Sequence, residues 1–192
     1  MNRAEFAQSL RDCDLSNSPL EQEHRVKMLA LLESTPDCFW RTSFPAHFTG
    51  SGLVVSHDGK KALLHHHANL NRWQQFGGHC DGEEDVLNVA CREALEESGV
   101  EGLIVASRAP FDLDIHEIPP NAKKQEPAHF HYDARYVLIA PENAVFKISD
   151  ESHDMKWFTP EEMLEICGDD AGLVRLTNKW IQLLERRGIR AA

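Results

Sequence analysis

Three glutamates between positions 93 and 97 are the residues of this sequence whose types and spacing most clearly suggest chemistry. An α-helix turns by about 100° per residue, so Glu93, Glu96 and Glu97 would share one face with Arg92. Glutamates three and four residues apart repel each other on a helix. A bound divalent cation would remove that repulsion, and Mg²⁺ prefers carboxylate oxygens and water as ligands. The spacing therefore predicts a metal site on a helix.

The alternative interpretation of the same glutamates is an acidic helix face that is simply solvated. A longer pattern around them argues against it, because glycine, arginine and glutamate recur at fixed intervals. The positions in this pattern are Gly78, Glu84, Arg92, Glu93, Glu96, Glu97 and Gly99. Given average residue frequencies, such a match arises by chance in a chain of this length on the order of once in a million.

This segment, which ends at Val100, resembles the Nudix box, G-x5-E-x7-R-E-U-x-E-E-x-G-U, where U is a bulky apolar residue. Ala94 is a small occupant of the first apolar position. The resemblance implies an α/β fold of the Nudix type, an α/β/α sandwich around a mixed β-sheet, here with extra N-terminal helices. It also implies hydrolysis of a diphosphate bond in a nucleoside diphosphate linked to another group, with Mg²⁺ or Mn²⁺ as cofactor.

The resemblance also suggests roles for the matching residues. Glu96 and Glu97 would be the main metal ligands, and Glu93 would be either a ligand or the general base. Arg92 would hold a glutamate in place through a charge-assisted hydrogen bond. Two further metal candidates lie nearby in the sequence. Glu84 would bind an outer metal ion or orient the glutamate cluster, and the Gly77 carbonyl would complete the coordination shell of the metal. The expected catalytic residues are Glu93, Glu96 and Arg92.

Polar and apolar residues alternate in two segments outside the box, as in strands with one polar face. The polar positions are Asp112, Asp114 and His116 in one segment and His129, His131, Asp133 and Arg135 in the other. If the strands are neighbours, these faces would form a substrate wall or a second metal site, because histidines with nearby acids bind Mn²⁺, Zn²⁺ or Ni²⁺. The alternative is an exposed or hydrogen-bonded sheet face.

The candidate substrate-binding residues are Trp73, His79, His129, His131 and Asp133. For Trp73, stacking on a base competes with packing in the core. An additional acidic ligand or base outside the box is also expected, and Glu126, Asp133 and Glu151 remain open for that role. The triplet 65–67 of histidines is expected at a polar strand end, and Cys80, in an acidic neighbourhood, is expected to be inert.

The elements that must position these residues follow from hydrophobic periodicity and turn signals. An Asp-Gly turn at 57–60 between two apolar runs predicts a hairpin. Thr159 with Glu162 forms the capping-box pattern at a helix start. The predicted helices cover 2–12, 19–33, 84–98, a segment from 159, and 172–187, and the predicted strands cover 52–56, 61–65, 103–116, 128–140 and 155–158.

The 192 residues suit an N-terminal helical extension (1–45) followed by one hydrolase domain (46–192). The formal net charge of −11 disfavours a nucleic acid polymer as partner. No apolar run approaches a membrane span of about 20 residues, and the five cysteines form no C-x-x-C pair. We therefore expect a cytoplasmic enzyme that binds a small phosphorylated substrate. The Trp180 face of the last helix would pack either on the domain or on the second copy of a homodimer.

Two other functions remain open at this point. A Nudix-fold sensor would bind a nucleotide without cleaving it, although such domains typically lose box glutamates that are all present here. An isomerase similar to isopentenyl diphosphate isomerase would need a cysteine before Gly-His, whereas this sequence has Gly77-Gly78-His79. The nucleotide substrate, the general base and the number of metals are not determined by the sequence.

Overall fold

The computed structural model describes residues 1–15, 18–122 and 125–188, and this part of the chain forms helices around a β-sheet. The helices are α1 (Arg3–Arg11), α2 (Pro19–Ser34), α3 (Val86–Ser98), α4 (Pro160–Ile166) and α5 (Ala171–Arg186). The strands are β1 (Ala46–Val55), β2 (Ala62–His67), β3 (Arg72–Gln74), β4 (Phe76–His79), β5 (Ile104–Val105), β6 (Asp112–Ile118), β7 (His129–Ile139) and β8 (Ser152–Phe158).

The strands form one eight-stranded sheet with the order β3-β2-β1-β7-β5. Three strands lie off this path, with β4 pairing to β1, β6 to β7 and β8 to β2. Strands β6 and β7 are antiparallel, with Asp114 opposite Asp133 and His116 opposite His131. The predicted α/β class is confirmed. The two polar strand faces are neighbours, which is the condition that a substrate wall or a second metal site would require.

Contacts divide the chain into two compact units, each built from three segments. Unit 1 comprises Met1–Ser51, Gly77–Ala90 and Ser107–Tyr136. In it, the rings of Phe6 and Phe48 meet edge to face with centroids 5.2 Å apart. Helix α2 is joined to β6 because Leu113 N–H donates to Glu21 Oε1 at 3.2 Å and His24 Nδ1 lies 2.9 Å from the Leu113 carbonyl. These bonds account for two polar side chains buried on α2.

Unit 2 comprises Gly52–Phe76, Cys91–Ala106 and Val137–Ala192, of which residues 189–192 lie outside the described part. Its apolar core includes Val54, Leu63, Phe76, Ala94, Val100, Leu138, Ala140 and Met155. Trp180 of α5 is 1% exposed, and its Nε1–H donates to the Gly59 carbonyl at 3.0 Å. This indole therefore packs within its own unit, which was one of the two locations expected for it.

Two predicted strands differ from the structure. The segment predicted as one strand over 103–116 is two strands, β5 and β6, separated by a turn that contains Pro110. Pairing with β7 stops after Val105 and resumes at Asp112. Pro110, which has no N–H to donate to a ladder, lies in this interval. The first strand begins at Ala46 rather than at 52, so residues 46–51, which were not predicted as a strand, also belong to the sheet.

The predicted local signals are otherwise confirmed. The hairpin at 57–60 closes with Ser56 N–H donating to the Lys61 carbonyl at 2.8 Å, and Gly59 has φ +76°. The capping box between Thr159 and Glu162 starts α4. Among the described helices, none combines the length and apolar character needed to cross a bilayer.

Candidate active site

Helix α3 carries the glutamates of the box, and its ends are fixed by local hydrogen bonds. At its start, Asp85 Oδ1 accepts from the Asn88 N–H at 3.0 Å, which satisfies a backbone donor of the first turn. At its end, Gly99 N–H donates to the Leu95 carbonyl at 2.8 Å. Gly99 has φ +67°, a conformation that glycine adopts without strain. The predicted helix over 84–98 is thus found over Val86–Ser98.

The two faces of α3 differ in burial as the periodicity predicts. Its buried positions include Val86, Val89, Ala90 and Ala94. The three carboxylates on the other face differ in exposure. Glu97 is 7% exposed, the Glu93 side chain 17% and the Glu96 side chain 60%. Two of the three predicted metal ligands are therefore mostly withdrawn from water, where an anion needs a compensating partner.

Arg92 is one such partner. Its Nη1 lies 2.7 Å from Glu93 Oε1 and 3.5 Å from Glu96 Oε2. Burial raises the pKa of Glu93, and the Arg92 guanidinium only partly opposes this increase. The negative charge of Glu151 also raises the pKa of Glu93. Of the three acids considered outside the box, Glu151 thus acts electrostatically on a box glutamate.

His65 lies beside Glu97 in unit 2, with its Nε2 3.9 Å from Glu97 Oε1. The imidazole is fully buried, its Nδ1 lies 2.7 Å from Ser152 Oγ, and burial lowers its pKa to about 4. A neutral imidazole cannot supply a charge to Glu97 near pH 7. The polar strand end expected at 65–67 is therefore a buried histidine at its first position, aimed at a box glutamate.

Two glycines in the segment before α3, Gly77 and Gly82, lie in close contact with other residues of unit 1. A Cβ added to Gly77 would lie 2.3 Å from Ser51 Oγ and 2.9 Å from Ser51 Cα, so β4 approaches β1 too closely for any side chain. Gly82 has φ +91°, and a Cβ there would meet the Trp40 ring at 2.3 Å. Close backbone contact therefore fixes the course of this loop.

Glu84, a predicted metal or orienting residue, is bound to the N-terminal helix. Its Oε2 accepts from the Arg3 backbone N–H at 2.9 Å, and its Oε1 lies 3.4 Å from Arg3 Nε. Arg3 also donates from Nη1 to the Leu32 carbonyl at 2.9 Å. This glutamate thus ties the box loop to the first two helices within unit 1.

Unit 1 also contains a group of buried histidines. A ligand nitrogen from each of His47, His79 and His131 lies within 4.8 Å of the other two. His129 stacks on His47 with ring centroids 5.0 Å apart, and its Nδ1 lies 2.8 Å from the Pro127 carbonyl. Burial lowers the pKa of His47 and of His79, the latter to about 4, and that of His131 still further.

Asp133, a predicted substrate-binding residue, is 2% exposed and belongs to a buried ion network. Its carboxylate accepts from Thr49 Oγ1 at 3.0 Å, from Ser51 Oγ at 2.8 Å and from Arg135 Nε at 2.9 Å. Arg135 also binds Asp114 at 2.8 Å and Asp112 at 3.3 Å. Burial alone would lower the pKa of Arg135, but these three carboxylates raise it above its usual value.

The predicted site residues therefore divide between the two units. Unit 2 contains Trp73 and the α3 residues Arg92, Glu93, Glu96 and Glu97, whereas unit 1 contains Gly77, His79, Glu84, His129, His131 and Asp133. Trp73 packs edge to face on Phe158, with centroids 4.8 Å apart.

Sequence reasoning missed His47 and the approach of His65 to Glu97. The alternation of His47, Thr49 and Ser51 with Phe48 and Gly50 was a signal for the first of these.

The chain is similar in sequence to known proteins. Residues 46–177 match the NUDIX domain. A Lactococcus lactis protein named "Probable DHNTP pyrophosphohydrolase" is 30% identical over 118 residues, which are 61% of this chain and 69% of that protein.

Solved structures show the same fold. A C. elegans Ap4A hydrolase in a binary complex has a TM-score of 0.58 at 21% identity, covering 72% of this chain and 98% of that one. The E. coli dihydroneopterin triphosphate pyrophosphohydrolase has a TM-score of 0.51 at 16% identity, covering 70% and 95%.

Proposed function

The chain belongs to the Nudix hydrolase family, and we propose that it hydrolyses a diphosphate bond in a nucleoside diphosphate linked to a second small group. We propose Mg²⁺ or Mn²⁺ as the cation. The observation that most supports this proposal is the burial of carboxylates on α3. Glu97 is almost fully buried, and Glu93 is mostly buried. Buried carboxylates that repel one another are stable when a cation compensates them.

The donor set fits a hard divalent cation. Glu93, Glu96 and Glu97 offer only oxygen atoms, which suit Mg²⁺ and Mn²⁺. Arg92 brings one positive charge against three carboxylates, and the neighbouring imidazole of His65 is neutral near pH 7. When bound, such an ion would neutralise phosphate charge and lower the pKa of a bound water.

The roles of the protein groups follow from their contacts. Glu93, whose pKa burial raises, is suited to accept a proton from the attacking water. Arg92 orients Glu93 through the 2.7 Å hydrogen bond. His65 positions Glu97, and Glu151 is the preferred candidate for an additional acid. Gly77 remains the candidate carbonyl ligand.

We further propose that residues 46–192 form the hydrolase domain and that 1–45 form an extension whose Arg3 orients Glu84. The match of residues 46–177 to the NUDIX domain supports the start of this domain. The contacts of Arg3 with Glu84 and with the Leu32 carbonyl support a positioning role for the extension. In this proposal, Glu84 orients the loop that precedes α3 through its bond to the extension.

The substrate is best sought among compounds with a phosphoanhydride attached to an aromatic base. The relatives are named for a pterin triphosphate and a dinucleoside tetraphosphate, so both belong in a panel with ADP-ribose, nucleotide sugars and nucleoside triphosphates. Hydrolysis is followed as release of a nucleoside monophosphate, inorganic phosphate or diphosphate, with Mg²⁺ and with Mn²⁺.

The decisive variant is Glu97→Gln, which keeps side-chain size but removes the charge. We expect kcat to fall by about 10³, equivalent to ~4 kcal/mol of barrier. Glu101→Gln is the matched control, since Glu101 is exposed just beyond the helix. Wild-type rates in folded Glu97→Gln would contradict the assignment, and binding without turnover across the panel would favour a sensor.

A further inference from the structure

The imidazole cluster, defined as His47, His79 and His131, is chemically distinct from the glutamates of α3. Its three members all lie in unit 1 and come from three different strands: His47 from β1, His79 from β4 and His131 from β7. One nitrogen of each ring lies within 4.8 Å of one nitrogen of the other two. Three rings from separate strands thus converge on one point, which neighbours along a single strand would not do.

Two of the converging rings have a buried nitrogen that lacks a hydrogen-bond partner among the described residues, namely His47 Nε2 and His131 Nε2. His47 is 1% exposed, and its other nitrogen, Nδ1, lies 3.2 Å from the Ser43 carbonyl. Buried polar atoms are nearly always paired, so two unpaired ones at the same place call for a missing partner. A metal ion bound through Nε2 would be that partner.

The surroundings of the cluster resemble the outer shell of a metal site. Histidine ligands usually donate their second N–H to a carbonyl or carboxylate, and Ser43 fills that position for His47. Next to His131, the ring of His116 has its Nδ1 2.8 Å from Asp114 Oδ2. Asp114 belongs to the network in which three carboxyl groups face the single guanidinium of Arg135.

We propose that His47, His79 and His131 bind one divalent transition-metal ion of the Zn²⁺ class, with a fourth position open to water or an anionic ligand. Neutral imidazoles suit Zn²⁺, Co²⁺, Ni²⁺ and Cu²⁺, whereas Mg²⁺ requires oxygen ligands. Three protein ligands with one open position are typical of catalytic zinc sites. Nitrogens about 2.0 Å from one tetrahedral ion lie about 3.3 Å apart, so small ring movements close the site.

Co²⁺ is the probe that tests this site, because tetrahedral Co²⁺ has intense visible bands and Mg²⁺ does not compete for imidazoles. The full chain is titrated with CoCl₂ in excess Mg²⁺, and Zn²⁺ is then added as competitor. We expect one equivalent of Co²⁺ with tetrahedral bands, no near-ultraviolet thiolate band, and displacement by Zn²⁺. This readout does not depend on hydrolytic activity, so it is separable from the proposed function.

Variants assign the ligands. His79→Gln and His47→Gln should each weaken Co²⁺ binding at least tenfold, with folding checked by circular dichroism. Two matched controls should bind as wild type: His57→Gln, which removes an exposed histidine of the hairpin turn, and Glu97→Gln, which alters the α3 site. His79 is less buried than His47, so His79→Gln keeps the test valid if His47→Gln does not fold.

Three results would overturn the proposal. The first is no Co²⁺ uptake by the wild-type chain. The second is unchanged uptake by folded His79→Gln. The third is a thiolate-to-Co²⁺ band, which would assign the ion to a cysteine instead.

Discussion

Replacing Arg135 with methionine should destabilise the protein strongly, because this guanidinium holds three buried carboxylates. Arg135 is 5% exposed, and its nitrogens lie 2.9 Å from Asp133, 2.8 Å from Asp114 and 3.3 Å from Asp112. Removing one partner of a buried ion pair costs about 3–5 kcal/mol. A chain of this size loses roughly 2–4 °C of Tm per kcal/mol, so we expect Tm to fall by about 6–20 °C.

The loss should depend on pH with a definite sign. In Arg135→Met, the three buried aspartates lose their cation, and a buried anion without a charge partner is destabilising. Protonation removes that buried charge, so the loss of stability is smaller at low pH than at high pH. Urea unfolding at about pH 8 and about pH 5 should therefore show a larger difference between variant and wild type at the higher pH.

Arg135→Lys is the matched control, because lysine keeps the positive charge but lacks the planar guanidinium group. Lysine keeps the cation but cannot reach three carboxylates in fixed geometry, so its loss of stability should be intermediate and less dependent on pH. A folded Arg135→Met that melts with the wild type at both pH values would refute the argument.

Three further predictions concern the site. His65→Gln should lower activity or Mg²⁺ affinity about 10–100-fold, measured as kcat and the half-saturating Mg²⁺ concentration, because Glu97 loses the imidazole 3.9 Å away; an unchanged Mg²⁺ dependence would contradict the positioning role. Gly77→Ala should cost about 1–3 kcal/mol in urea unfolding, since its Cβ would overlap Ser51, and Ser51→Gly in the same chain should restore part of the loss. Burial raises the pKa of Cys80, which is 2% exposed, so mass spectrometry should find it unalkylated by iodoacetamide in the folded protein and alkylated in urea.

The sequence could predict the elements whose signals are local. The box helix, the hairpin at 57–60 and the capping box at Thr159 depend on residues within a few positions of each other. Strand β7 was predicted over 128–140 and runs over His129–Ile139, because its alternation is long and uninterrupted. The folded protein retains these patterns because each one depends on the buried and exposed faces of a single element.

The start of β1 was not predicted, because its burial is set by neighbouring strands rather than by apolar residues. Residues 46–51 include His47, Thr49, Gly50 and Ser51, yet every position from Ala46 to Val55 is buried. Thr49 and Ser51 are buried because they donate to Asp133. A Cβ at Gly50 would lie 2.6 Å from the Val86 carbonyl. Those partners lie 36 or more positions away in the sequence.

The glutamates of α3 and the imidazole cluster are both groups of side chains that could bind a metal ion. They differ in how far the sequence alone could reveal them, and the reason is physical. The glutamates of α3 lie within five residues, so helical geometry alone unites them. The imidazole cluster draws His47, His79 and His131 from three strands, and only strand pairing reveals it. The two groups also offer different donors, carboxylate oxygens in one and imidazole nitrogens in the other, so they select different ions. Glu97→Gln and His79→Gln therefore separate their contributions, because the first changes a carboxylate of α3 and the second changes an imidazole of the cluster.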